Sequence, residues 1–397
     1  MLASMLRWKP IIDRMRRRRA VGRMLAIAIS LGLITAPAHA QRSAKQPTPH
    51  AAYTIPRAGT LVPLIPATRP LVEVTINNRG PFRMLLETGS PISYLLPTAY
   101  TKIFRTGSAR PTDTFRIGTA SLTGITIHRN SHLGVTGIDG LLGLDALAGA
   151  AITIDFAANE LRIDRDTLPA ANGRDILTLG RVAQFWTVPI TLGDRTVNAI
   201  IDTQSALSLS AAPLRAATLQ LTTQPVAVGR ARGPTIGNVI VRRARLAGSA
   251  RIGDAELQQP LIDLLPLPAP LPRDAYILGL QVLTEFAVTL DLRVGRVRFA
   301  RENRVVPPPP PAYATGLGAA QRADGTRVVL SVLENTPAAE IALTRGDVIL
   351  SVDGRASAAF TDLEWRDAIG GRLPLQLRVS RNGVARDLVL TPRFLGF

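Results

Sequence analysis

The chain has 397 residues and no cysteine, which excludes disulfide scaffolds, thiolate metal sites, iron–sulfur clusters and cysteine nucleophiles. Its composition, 46% apolar and 19% charged, is that of a globular chain long enough for two or three domains. The formal charge of +18 does not point to nucleic acid: residues 1–40 carry +7, and the remaining +11 is spread as single arginines with no run beyond Arg242-Arg243.

Arg16 to Arg19 and Arg23 precede an apolar stretch from Met24 to about Thr35, and Ala38-His39-Ala40 follows. A basic start, a short apolar run and an A-x-A site together read as a secretory signal peptide over residues 1–40, cleaved after Ala40. An apolar run of about 12 residues is too short to span a hydrocarbon core of ~30 Å. A periplasmic or secreted protein with no remaining membrane span is therefore expected. Residues 41–69 form a polar-led N-terminal extension.

The middle of the chain is an internal repeat. VEVTINNRGPFRMLLETGSPISYLLP (72–97) and VPITLGDRTVNAIIDTQSALSLSAAP (188–213) each read as a strand, a tight turn, a second strand, and then an acid followed by Thr, a variable residue and Ser. The acids are Glu87 and Asp202. A second landmark also recurs: an apolar run ending in Gly143 or Gly279, a short helical piece, and a hairpin turning at Ala157–Asn159 or Arg293–Gly295. Two β-rich lobes, 70–170 and 171–302, are expected to pack about a pseudo-twofold axis with a shared site between them.

LLETGS (85–90), IIDTQS (200–205), GLLGL (140–144) and YILGL (276–280) resemble the paired motifs of the retropepsin-like and pepsin-like aspartic peptidases. The resemblance covers roughly residues 70–300. It implies a mostly β, bilobal fold of barrel-like lobes and a catalytic carboxyl dyad, Glu87 and Asp202, that activates a water molecule. Two carboxyls in contact cannot both ionise, so they share one proton, and the ionised partner takes a proton from water while the other polarises the scissile carbonyl. The resemblance assigns supporting roles to Thr88, Gly89, Ser90, Thr203, Ser205, Gly143 and Gly279. Thr88 and Thr203 would bond across the axis, Ser90 and Ser205 would donate to the outer carboxyl oxygens, and Gly89 would allow a close backbone approach.

Two departures accompany the matches. Glu87 stands where the family has Asp, and Gln204 where it has Gly, so a dyad retuned or lost is the alternative, with the fold kept as a non-catalytic peptide-binding scaffold. The stretch from acid to glycine landmark is longer in lobe 2 than in lobe 1. Residues 226–241, with a Gly-rich middle, are the candidate flap.

Pro307 to Pro311 are five consecutive prolines in a linker, 303–312, that polyproline II geometry would make a semi-rigid spacer. From 313 to 397, ENTPAAEIALTRGDVILSVDG and the following helical and alternating segments resemble a bacterial PDZ domain, an α/β sandwich. Such a domain would add an extended peptide to a sheet edge. Gly316, Leu317 and Gly318 would then receive a chain-end carboxylate. His128 and His132 lie on a strand and a loop, so no helical metal pair is expected, and neither is any cofactor. Asp139, Asp145, Asp155 and Asp291 read as turn and strand-end carboxylates. The expected partner is a polypeptide substrate or peptide chain end, not nucleic acid, and two lobes on one chain make a monomer sufficient. The exported protein is expected to begin at Gln41. Intact-mass measurement of the secreted or periplasmic form checks this, and a mass retaining residues 1–40 contradicts it.

Overall fold

The computed structural model describes residues 29–30, 52–131, 137–233, 237–267, 271–322 and 324–397. The expected signal peptide, apart from Ile29–Ser30, and His132 lie outside the described residues. Among the described residues no helix is long and apolar enough to cross a membrane.

Leu71–Ile76 and Arg79–Leu86 form an antiparallel hairpin. Its turn residues Asn77 and Asn78 have φ of 49° and 58°, the left-handed conformation that Asn tolerates and that short hairpins use. Alternation then buries Val72, Val74 and Ile76 on one face. Gly140–Leu142 lies parallel beside the second strand, with Leu142 opposite Leu86, and Tyr94–Leu95 pairs antiparallel on its far side.

The second lobe repeats this plan. Phe185–Leu192 and Arg195–Ile201 form the hairpin, Tyr276–Leu278 lies parallel with Leu278 opposite Ile201, and Leu209–Ala211 pairs antiparallel beyond it. Each lobe therefore places its acid at the end of a central strand, directly after a buried apolar pair, Leu85-Leu86 or Ile200-Ile201. One sheet crosses between the lobes: Ala151–Asp155 runs antiparallel to Ala287–Asp291. Thr153 faces Thr289 there, with their hydroxyl oxygens 2.8 Å apart. Phe156 packs against the apolar cores of both lobes.

The proline segment is not a free spacer. Val305–Val306 pairs with Glu256 and Leu257, and Arg245 reaches into the run beyond. Its Nη2 donates to the carbonyls of Pro309 (2.9 Å) and Pro310 (3.3 Å), and its Nη1 to Gln259 O (3.2 Å). Polyproline carbonyls have no partners of their own, so they suit a planar guanidinium.

The C-terminal domain is a sheet in which Leu317–Gln321 pairs on one side only, with Arg327–Val332. Its helix, Asp362–Gly370, starts at a capping box between Thr361 and Glu364. Trp365 is buried with the Arg327 guanidinium over its ring. Tyr313–Ala314 pairs with Arg393–Phe394 and ties the two ends of the domain together. The lobe-2 hairpin strand Val226–Gly233 lies alongside Leu317–Gln321. This hairpin, completed by Gly237–Arg245, is the segment expected to act as a flap, and residues 234–236 at its tip lie outside the described residues.

Removing the arginine clamp should release the linker. Arg245→Ala removes the donor from three carbonyls that lie on exposed or half-buried residues and can turn to water, so each bond is worth about 0.5–1.5 kcal/mol. Limited proteolysis should then cut within 303–311 faster than in the wild type, and unchanged resistance contradicts the clamp.

Candidate active site between the lobes

The two acidic loops meet across the axis through their threonines. Thr88 N donates to Thr203 Oγ1 and Thr203 N donates to Thr88 Oγ1, both at 3.1 Å. Each hydroxyl then donates to a carbonyl of the opposite lobe, Thr88 to Ile201 O and Thr203 to Leu86 O, both at 2.7 Å. Each threonine thus bonds the other lobe twice. Neither loop can move alone without breaking buried bonds.

This exchange brings Glu87 and Asp202 together. Both are fully buried, and their carboxyls lie close enough to influence each other's ionisation, so a proton held between them relieves the pair. Burial is the first cause raising both groups above the ordinary carboxylate range. For Glu87 the neighbouring Asp202 charge adds to the rise, which carries it well above that range.

The backbone separates the two roles. Asp202 Oδ1 accepts from Gln204 N (2.9 Å) and Ser205 N (3.0 Å). Glu87 Oε1 accepts from Gly89 N (2.8 Å), while the Ser90 amide goes to the Glu87 backbone carbonyl instead. Amide donors stabilise a carboxylate, so the negative charge belongs on Asp202 and the proton on Glu87. Among the described residues Asp202 Oδ2 has no hydrogen-bond partner.

Gly89 has no room for a side chain. A Cβ there would lie 2.7 Å from Glu87 Oε1 and 3.1 Å from Asp202 Cγ. At Gly143 and Gly279 a Cβ would overlap the carbonyl oxygens of Ile92 and Leu207, which belong to the loops after each acid. Gln204 is fully buried beside the dyad.

The serines differ from their expected roles. Ser90 Oγ donates to Ile92 O at 2.8 Å, and Ser205 Oγ has no partner, so neither hydroxyl serves an outer carboxyl oxygen. Only Ser90 turns into its own loop; the acids are served by the backbone amides of Gly89, Gln204 and Ser205 instead.

One residue at the site carries no motif. Half-buried Arg69, the last residue of the N-terminal extension, donates from Nε to Gln204 O in the lobe-2 loop at 2.8 Å. Burial lowers its pKa, while Glu87 and Asp202 act to raise it. Its only sequence signal is a lone arginine just before the first hairpin strand.

Of the aspartates read as structural, Asp145 is the most perturbed. Ser93 binds it through both Oγ (2.6 Å) and N (3.0 Å), yet burial pushes it up to about 6. Asp291 is buried and held by Arg293, and Asp139 and Asp155 accept from the backbone amides of Arg83 and Ala158. His128 lies on a strand with its ring against Tyr94, and burial lowers its pKa. In the C-terminal domain Gly316 has φ of 74°, and the Leu317 amide donates to Thr315 Oγ1 at 3.3 Å. A Cβ on Gly318 would strike Ser331 Oγ.

No protein-family model matches the chain, and no curated protein matches it. Among solved structures it is similar to a crystal structure of the HtrA3 PDZ domain bound to a phage-derived ligand (FGRWV), at 21% identity. That likeness covers 20% of this chain and 85% of the other, with a TM-score of 0.19. It is also similar to a photosystem II D1 C-terminal processing protease at 23% identity, over 21% of this chain and 24% of that chain, with a TM-score of 0.20.

The raised carboxyls set a direction for stability against pH. Asp145 titrates near 3.8 when unfolded and about 6 when folded, so its contribution is complete below pH 4 and is lost as pH rises through 6. Glu87 and Asp202 act in the same direction. Asp347, held low by Arg381, loses its contribution only below the ordinary carboxylate range. His128, lowered by burial, acts the other way, so the assignment is read by difference: between pH 4 and 7 the melting temperature of the wild type should fall relative to that of Asp145→Asn. A rise relative to that variant contradicts the assignment.

Proposed function

We propose that this chain is an exported aspartic-type endopeptidase with a C-terminal PDZ-type module. The observation that carries the reading is the contact of two fully buried carboxyls, Glu87 and Asp202, across the Thr88–Thr203 exchange. Asp202 is the base: it takes a proton from a water molecule as the water oxygen attacks the scissile carbonyl carbon. Glu87 is the acid: its proton passes to the carbonyl oxygen and completes a neutral tetrahedral diol. Asp202 then returns its proton to the amide nitrogen, Glu87 recovers one from the diol, and the C–N bond breaks. Protons balance, and no covalent intermediate forms.

The lobe-2 hairpin, Val226–Gly233 with Gly237–Arg245, serves as the lid that must open to admit substrate. The one-sided strand Leu317–Gln321 offers the edge on which a peptide could pair, and it lies beside that hairpin. Captured chains would then be held close to the lid.

A second reading is favoured by one feature, the buried Gln204 beside carboxyls that have no solvent exposure. In that reading the lobes are a rigid scaffold, and the C-terminal domain binds peptides without cleavage.

Hydrolysis of a denatured-protein library across pH 3–7 separates the two. The peptidase reading predicts cleavage by the wild type, lowered about 10²–10⁴-fold in both Asp202→Asn and Glu87→Gln. Cleavage that survives either substitution removes the dyad mechanism. Absence of wild-type cleavage with retained peptide binding establishes the scaffold.

A further inference from the structure

A pocket of about 250 Å³ lies where the two lobes meet the C-terminal domain. Its walls mix apolar and polar groups: Leu64 from the N-terminal extension, Phe156 and Asn159 from lobe 1, and Leu280 and Thr284 from lobe 2. Only two charged residues line it, Arg69 and Arg366, and both are cationic. Arg366 belongs to the helix Asp362–Gly370 of the C-terminal domain, so the pocket is shared between domains.

Glu87, Asp202 and Asp362 act on Arg69 from a distance, but none of them is bonded to it among the described residues, and Asp362 is bound by Arg327 at 3.1 Å. Arg366 turns Nε and Nη2 to Asp367 Oδ1 at 3.3 Å in a solvent-exposed pair that a carboxylate in the pocket can displace. Two guanidiniums facing one pocket repel each other, and Arg366 adds to the lowering of the Arg69 pKa. A guanidinium offers a planar fork of donors, and the Arg69 bond to Gln204 O uses only Nε. Two such forks above walls that carry both apolar and hydrogen-bonding groups match a carboxylate attached to an acylated amino acid, which has an apolar side chain and a polar amide.

We infer that this pocket is a binding site for a carboxylate bearing an apolar side chain, of the size of a single acylated amino acid, bridged by Arg69 and Arg366. Its place connects it to the dyad on both sides. Arg69 holds Gln204 O, and Leu280 N donates to Ser205 O at 2.7 Å; the amides of those same two residues bind Asp202 Oδ1. A ligand here bears on the loop that carries the dyad charge without entering the cleft. The inference stands whether or not the dyad cleaves peptides, because it concerns binding alone.

The test uses the full chain, with N-acetyl-leucine as probe and N-acetyl-leucinamide as its uncharged control, measured by calorimetry. The free acid should bind and the amide should not. Arg366→Gln and Arg69→Gln should each weaken binding at least tenfold. Thr284→Trp, which touches neither arginine, should weaken it similarly by filling the pocket, so the result does not depend on whether Arg69→Gln folds. Equal binding of acid and amide overturns the inference. Loss in Arg366→Gln with full binding in both Arg69→Gln and Thr284→Trp also overturns it, because the ligand would then sit on the C-terminal domain alone.

Discussion

Everything at the centre of this molecule depends on two threonines exchanging backbone and hydroxyl hydrogen bonds across a twofold axis. Thr88 and Thr203 satisfy six buried polar groups, their own two amides and two hydroxyls and the carbonyls of Leu86 and Ile201 below. Buried polar groups are costly when left unpaired, so each lobe needs the other to complete its acidic loop. The sheet that crosses the interface through Thr153 and Thr289 holds the same relation further along the molecule. The carboxyls are consequently held in contact by groups that are not themselves acids.

That contact is electrostatically unequal. Burial alone would raise both carboxyls, and a shared proton relieves the pair only if one member ionises. Two amides on Asp202 against one on Glu87 decide which. Arg69 adds a cation to the lobe-2 loop through Gln204 O, on the same side as the charge. The longer Glu87 side chain folds back onto its own loop amide at Gly89, where the missing Cβ leaves the space. Glutamate at this position therefore has a local accommodation of its own.

Much of the architecture was legible in the sequence because it is written in repetition. Two copies of strand, turn, strand and acid at a fixed offset allow a shared interlobe site to be read, and the Asn-Asn turn follows from local chemistry. Other features had no such signal. Arg69 and Arg245 are single arginines in a chain rich in them, and each acts on a carbonyl far away in sequence. The polyproline run has a local preference that describes its conformation but not the guanidinium that fastens it to lobe 2. Ser90 and Ser205 sit at matching repeat positions, yet Ser90 Oγ bonds Ile92 O while Ser205 Oγ has no partner among the described residues, a difference of side-chain rotation that a repeat pattern does not encode.

The central claim is that Glu87 carries a proton shared with an ionised Asp202. Infrared spectroscopy at about pH 7 tests it directly, since exposed carboxyls are then ionised and silent in the protonated-acid region. The account predicts a protonated carboxylic acid carbonyl stretch in the wild type that disappears in Glu87→Gln. No such band in the wild type, or a band undiminished in Glu87→Gln, would contradict it.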